Sequence, residues 1–142
     1  MAKETLLIAV VDDEESVRKA LGRLISAAGF SAETFSSGMD FMRSVQQRRP
    51  HCVVMDVRMP QMNGFDVHAA LVQAGAHLPV VFVTGDDSPE ARERAFKQGV
   101  KAYLRKPVDD ALLVDAIQTA ILSSRRDIAM LQAAGGPAPS AA

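Results

Sequence analysis

Mostly apolar segments alternate along this chain with segments whose apolar residues recur every three to four positions. Continuous apolar runs rich in branched side chains are typical of strands buried on both faces of a parallel sheet. The runs predicted as strands cover residues 6–11, 30–35, 52–55, 80–84 and 100–105.

The segments between these strands carry helix signals. Apolar positions repeat at helical spacing from Val17 to Ala28, and Gly29 suits the position just past a helix end. Ser88 and Pro89 are typical of a helix start. Regular alternation of strand and helix predicts an α/β fold, a doubly wound five-stranded parallel sheet between two helix layers.

Composition limits the function classes. The chain has 142 residues, a formal net charge of −1 and one cysteine, Cys52. One domain is expected, with Cys52 packed in its core, and neither direct nucleic-acid binding nor membrane binding is indicated. The amino terminus lacks a signal-peptide pattern, so the protein is expected in the cytoplasm.

The carboxyl-terminal part of the chain differs in composition from the predicted domain. Residues 1–124 are expected to form the domain, and residues 125–142 a possible extension of the last helix followed by a disordered tail rich in Ala, Gly, Pro and Ser. Ile128 and Leu131 continue the apolar stripe of the last helix. They are expected either to project or to pack back on the domain.

Polar side chains follow the predicted strands where each one ends. In a doubly wound sheet these ends meet at one edge, so Asp12, Asp13, Asp56, Thr84 and Lys106 should converge there. Three carboxylates repel one another unless a cation lies among them, and oxygen ligands of this kind suit magnesium. A lysine and a hydroxyl suit phosphate oxygens, which indicates a phosphoryl pocket around a carboxylate nucleophile.

The order of these motifs resembles the receiver domain of two-component response regulators, and in particular the type found in nitrogen-fixation regulators. The resemblance covers about residues 6–122 and implies a (βα)5 flavodoxin-like fold. It rests on Val11-Asp12-Asp13-Glu14, Asp56-Val57-Arg58-Met59-Pro60 with Gly64, Val83-Thr84-Gly85, and Lys106-Pro107.

The resemblance implies a role for each matched residue. Asp56 is expected to accept the phosphoryl group, and Asp12, Asp13, Asp56 and the backbone carbonyl of Arg58 to hold magnesium.

The remaining matched residues are expected to bind the phosphoryl group or to transmit the signal. Thr84 and Lys106 are expected to contact the phosphoryl oxygens, Tyr103 to act with Thr84 as the switch aromatic, and Lys106-Pro107 to form a cis peptide bond.

The resemblance also implies partners in a bacterial cell. A sensor histidine kinase or a histidine phosphotransfer protein would supply the phosphoryl group. An output protein would bind the face made by the fourth helix, fifth strand and fifth helix, and a homodimer is a further possibility. Because the chain stops soon after the fifth helix, it is expected to act as a stand-alone receiver unless it is a piece of a longer protein.

Two other functions stay open at this point. An aspartyl-phosphate phosphatase usually needs a second carboxylate close after the nucleophile, and Val57-Arg58-Met59-Pro60 offers none. A receiver-like interaction module that is never phosphorylated would be expected to lack the acceptor, a metal ligand or the lysine. The chain is therefore not expected to be an enzyme beyond phosphorylation and dephosphorylation of its own Asp56.

Residues outside this constellation are expected to be structural. The histidines His51, His68 and His77 show no metal-ligand spacing and are expected on loops or helix surfaces. Arg18 is expected on the outer face of the first helix, which is either solvated or a docking patch for an acidic or helical partner, and Phe96 is expected to be buried.

Overall fold

A five-stranded parallel sheet in the order β2-β1-β3-β4-β5 forms the middle layer of the protein. The computed structural model describes residues 5–85 and 88–133. Strand and helix alternate throughout, as the sequence predicts, and the (βα)5 flavodoxin-like fold is confirmed. The elements are β1 (Leu7–Val11), α1 (Glu15–Ala27), β2 (Ser31–Phe35), α2 (Gly38–Val45), β3 (Cys52–Met55), α3 (Gly64–Gln73), β4 (Val80–Thr84), α4 (Pro89–Gln98), β5 (Ala102–Arg105) and α5 (Asp110–Ala133).

Two hydrophobic cores lie on opposite faces of the sheet. Alternate residues of the central strands enter each core: Val53 and Met55 face α2, α3 and α4, whereas Val54 faces α1 and α5. Every residue of β1, β3 and β4 is buried, which explains their continuous apolar sequences. Cys52 is fully buried, and burial raises the pKa of its thiol to about 12, so its predicted core role is confirmed.

The two outer strands are shorter than the sequence predicts. Strand β2 begins at Ser31 because the N–H of Phe30 donates to the Ile25 carbonyl and so closes α1. Strand β5 begins at Ala102, and the N–H of Val100 likewise donates to the Ala95 carbonyl. Backbone groups that cap a helix are not free for the sheet, so each strand starts later than its apolar pattern.

Two predictions of burial on the helices are wrong. His68 on α3 is buried, with 4% exposure, and Gln98 Nε2 on α4 lies 2.9 Å from its Nδ1. The imidazole is therefore a polar part of the contact between α3 and α4. Phe96, by contrast, is 44% exposed, because α4 turns this side chain toward its own outer face.

Helix α5 continues to Ala133, well past the residues that cover the sheet. Lys101 Nζ lies 2.6 Å from Asp127 Oδ2 and 3.1 Å from Ser123 Oγ, contacts that tie this part of α5 to the segment before β5. Most of the tail expected to be disordered lies outside the described residues. Among the described helices, none is both long enough and apolar enough to span a bilayer.

Gly64, the first residue of α3, allows this helix to approach the end of β3. A Cβ atom at this position would lie 2.7 Å from the Asp56 carbonyl oxygen and 3.0 Å from Val57 Cα. Both neighbours are backbone atoms, which cannot move aside without shifting the β3–α3 loop. The Gly64 N–H donates to the Val57 carbonyl at 2.8 Å and holds this close approach.

We predict that Gly64→Ala destabilises the protein by about 2–3 kcal/mol, because the added methyl group must displace backbone next to Asp56. The matched control is Gly22→Ala inside α1, where a Cβ would meet Thr34 Cγ2 at an ordinary 3.6 Å. That change should stabilise the protein by about 0.5–1 kcal/mol through helix propensity. Urea unfolding measures both, and equal effects of the two changes would contradict the close-approach explanation.

Candidate functional site

The parallel pairing of β1 with β3 brings two buried carboxylates together. Val11 pairs with Met55, so the next residues, Asp12 and Asp56, emerge side by side at the same edge of the sheet. Asp56 donates its N–H to the Val11 carbonyl at 3.0 Å. The exposures of Asp12 and Asp56 are only 1% and 5%. The parallel register of β1 and β3 therefore positions both side chains.

Asp12 is held by hydrogen bonds on three sides. Its Oδ1 accepts from the N–H of Glu14 at 2.9 Å, and its N–H donates to the Phe35 carbonyl at 3.1 Å. Arg18 Nη1 donates to the Asp12 carbonyl at 2.8 Å. Arg18, expected on the outer face of α1, thus also reaches back to fix the end of β1.

Lys106 bridges the two carboxylates. Its Nζ donates to Asp12 Oδ2 at 2.9 Å and to Asp56 Oδ2 at 3.3 Å. The Lys106 N–H donates to the Thr84 carbonyl at 2.8 Å, which places the lysine beside the end of β4. The Lys106-Pro107 peptide bond is cis. The lysine therefore supplies the cationic charge between the two acidic strand ends.

The burial of this cluster changes the ionisation of its members. Burial raises the pKa of Asp56 above its ordinary value of 3.8, and the nearby charge of Asp12 adds to this, while Lys106 and the Arg58 N–H act in the opposite direction. The folded protein thus holds a proton on Asp56 at a pH where the unfolded chain has released it. The contribution of Asp56 to the free energy of unfolding falls as the pH rises from 3.8 through this raised pKa, since the ionised carboxylate is poorly solvated when buried.

The ionisation of Lys106 shifts because of the same carboxylates. Burial alone would lower the pKa of Lys106, but its hydrogen bond to Asp12 and the negative charges of Asp56 and Asp12 outweigh burial and raise the pKa above 10.5. The side chain is therefore an ammonium group at neutral pH. A charged lysine can pair with the carboxylates or turn to a phosphate oxygen that enters the cleft.

The carboxylates fit a divalent cation. Asp12, Asp13 and Asp56 each offer an oxygen, and these three atoms lie within 4.8 Å of one another. Asp13 is exposed at the mouth of the site, whereas the other two are buried. Hard oxygen donors with one solvent-facing ligand suit magnesium, which keeps several of its waters when bound to protein. These residues could hold the ion that the sequence predicts.

A cleft of about 450 Å³ opens above Asp56. The structure places Thr84, which is 1% exposed, at the end of β4 on its wall. The Arg58 N–H donates to Asp56 Oδ1 at 3.3 Å. The magnesium role of the Arg58 carbonyl stays a prediction, as does the phosphate contact of Thr84. The described lining residues are Asp13, Glu14, Asp56, Arg58, Thr84, Gly85 and Lys106.

Tyr103 lies behind this cleft in a row of aromatic rings. It is 4% exposed, and its ring centroid lies 6.3 Å from that of Phe82 in an edge-on arrangement. Phe65 meets the other side of Phe82 at 5.3 Å, also edge-on. Such pairs add stability beyond burial alone. The predicted switch aromatic therefore lies inward, packed against a residue of β4 two positions before Thr84.

Two functional contacts were missed in the sequence. Arg18 reaches Asp12, and Arg92 on α4 lies over the Tyr103 ring with 5.8 Å between its guanidinium carbon and the ring centroid. The spacing of Arg92 and Phe96, four residues apart on a helix, was an available signal for a stacked pair. Nothing in the sequence indicated that Tyr103 on β5 would join them.

Comparisons with known proteins agree with this geometry. Residues 8–118 match the family model described as the response regulator receiver domain. The response regulator protein TodT of Pseudomonas putida strain F1 is 33% identical over 121 residues, which are 85% of this chain and 53% of TodT. The transcriptional regulatory protein FixJ of Azorhizobium caulinodans is 31% identical over 118 residues, 83% of this chain and 56% of FixJ.

Solved structures give the same result. A response regulator receiver domain protein from Clostridium thermocellum superposes with a TM-score of 0.79 at 29% identity, covering 84% of this chain and 97% of that one. The chain spans about half the length of the curated relatives TodT and FixJ. The likeness therefore concerns one domain of those regulators.

We predict that Lys106→Met destabilises the metal-free protein by about 2–3 kcal/mol, because two buried carboxylates lose the cation between them. Saturating magnesium should recover much of this loss, since it supplies positive charge to the same carboxylates. The control is Lys19→Met, which removes only a bridge to Glu15 between side chains that are 64% and 68% exposed. Thermal unfolding with EDTA and with magnesium measures both variants. A Lys106→Met protein as stable as the wild type in EDTA would contradict the bridge.

Proposed function

Because this chain belongs to the response regulator receiver domain family, we propose that Asp56 accepts a phosphoryl group and that the domain is a phosphorylation-dependent switch of a two-component system. The observation that carries the proposal is the bridge from Lys106 to Asp12 and Asp56 at the floor of an open cleft. It places a buried carboxylate, a mobile cation and a second carboxylate around one point. The family alone would not require that all three are present in a given chain.

Magnesium is part of this proposal. Asp12, Asp13 and Asp56 would hold it with the backbone carbonyl of Arg58, because the three carboxylate oxygens already lie close enough for one ion. When bound, the ion would neutralise charge on the transferring phosphoryl oxygens. Asp13, which is exposed, would be the ligand on the solvent side of the ion.

The chemical step follows from the position of Asp56. A donor phosphohistidine of a sensor histidine kinase or phosphotransfer protein approaches through the cleft. A carboxylate oxygen of Asp56 forms a bond to phosphorus while the phosphorus–nitrogen bond breaks, and the histidine nitrogen keeps that electron pair. Lys106 stabilises negative charge on a phosphoryl oxygen, and the Thr84 hydroxyl donates to another. The product is an aspartyl phosphate.

The signal arises from the charge that phosphorylation adds. A phosphoryl group brings about −1.5 to −2 charges. This negative charge draws Lys106 away from Asp12, and it draws both Lys106 and Thr84 toward the phosphoryl oxygens. Thr84 lies two residues after Phe82, the ring that Tyr103 packs against, so its movement changes the space available to Tyr103. The face of α4, β5 and α5 then binds an output partner, or a second copy, differently in the two states.

The two alternatives lack support of this kind. A phosphatase would need an acid/base carboxylate shortly after Asp56 in the chain, but the side chains that follow it are Val57, the lining residue Arg58 and the buried Met59. An interaction module that is never phosphorylated has no use for a buried cation-bridged carboxylate pair, which costs folding free energy. The receiver function explains why these charges are retained.

We predict that the protein incubated with acetyl phosphate and magnesium gains the mass of one phosphoryl group, because this small acyl phosphate can replace the phosphohistidine donor. Asp56→Asn should abolish the gain and EDTA should prevent it. The control Asp115→Asn, at an exposed position of α5, should behave as the wild type. Intact-mass spectrometry measures all four samples. A gain that persists in Asp56→Asn, or no gain in the wild type, would overturn the proposed acceptor.

A further inference from the structure

Arg92 on α4 makes two kinds of contact with Tyr103 on β5. Its guanidinium carbon lies 5.8 Å from the Tyr103 ring centroid, a distance at which a cation is attracted to the ring face. Its Nη1 also donates to the Tyr103 main-chain carbonyl at 3.3 Å. One side chain thus contacts both the ring and the backbone of the residue that lies inward behind the cleft.

Phe96 orients this arginine. The guanidinium carbon of Arg92 is also 5.5 Å from the Phe96 ring centroid, one helical turn farther along α4. This contact accounts for Phe96, a large apolar side chain left 44% exposed. A guanidinium stacked on a neighbouring ring loses fewer conformations when it binds a second group, because its plane is already set.

The contacts of Arg92 link the position of α4 to the conformation of the Tyr103 side chain. Tyr103 stays 4% exposed while its ring edge meets Phe82. If the ring turned outward it would leave both Phe82 and the Arg92 guanidinium, and if α4 shifted along β5 the Nη1 hydrogen bond would break. One side chain therefore links the position of α4 to the position of the ring, which is what coupling between the two requires.

We propose that Arg92 is a positioning residue that holds Tyr103 in its inward conformation and thereby sets the resting balance of the α4–β5 surface. The inference rests on the proposed function only in taking Tyr103 as the reporter of Asp56. An exposed cation–π contact shifts the ratio of the two ring positions by about two- to fivefold, whereas the hydrogen bond to the main-chain carbonyl holds α4 against β5. Removing Arg92 should therefore raise the outward population of Tyr103 by a factor of this size, before any phosphorylation.

Arg94 supplies a matched control on the same helix. Its guanidinium carbon lies 4.0 Å from the centroid of the Phe65 ring, so it makes the same type of contact with a ring of α3. Replacing Arg94 removes one positive charge and one stacked guanidinium from α4, as replacing Arg92 does. It leaves the contacts of Arg92 with Tyr103 in place.

The composition of the chain makes the test direct, because it contains one tyrosine and no tryptophan. Protein with carbon-13 in the tyrosine ring gives NMR signals from Tyr103 alone. In the unphosphorylated wild type these signals should show nuclear Overhauser effects to Phe82. In Arg92→Ala the effects should weaken and the shifts should move toward those of free tyrosine, with Arg92→Lys intermediate.

Two results would contradict the proposal. If Arg92→Ala keeps the Tyr103–Phe82 effects of the wild type, the arginine only covers the ring and the proposal fails. If Arg94→Ala changes the Tyr103 signals as much as Arg92→Ala does, the effect is not specific to the contacts of Arg92 and the proposal also fails. Both variants are compared in metal-free protein, so the outcome does not depend on phosphorylation of Asp56. Acetyl phosphate with magnesium tests that separately.

Discussion

The ionic bridge from Asp12 through Lys106 to Asp56 is the interaction on which the rest of this site depends. Two carboxylates lie almost entirely out of water at adjacent strand ends, and one ammonium group compensates them. Isolated, each carboxylate would take up a proton or force the strand ends apart. Paired in this way they stay available to a metal ion. Such a bridge is costly to stability, and the proposed magnesium site gives a reason to keep it.

The sheet connects the ionic bridge to the face of α4, β5 and α5 that would carry the signal. Parallel register sets Asp12 beside Asp56, and a main-chain hydrogen bond ties Lys106 to Thr84 at the end of β4. Two residues before Thr84, Phe82 packs against Tyr103 of β5, the strand next to α4. A shift of charge at the bridge therefore has a short packed route to the aromatic row. Packed interiors transmit such shifts because they cannot absorb them smoothly.

Much of this could be predicted from the sequence, since the central strands are buried on both faces and their ends carry the polar residues. Asp12 and Asp56 were found because a parallel sheet leaves little choice about where strand ends meet. The contacts of Arg18 and Arg92, and the burial of His68, could not be found in this way. These contacts depend on which side chain of a distant element lies opposite each residue. A single sequence shows which residues share a face of a helix, but it does not show which element packs against that face.

A carboxyl titration of metal-free protein, followed by carbon-13 NMR, tests the bridge most directly. Asp56 of the wild type should titrate above its ordinary value of 3.8, because burial outweighs the attraction of Lys106. In Lys106→Met it should titrate higher still, since the compensating cation is gone. An Asp56 that titrates at the same pH in both proteins would contradict a buried carboxylate held by the lysine.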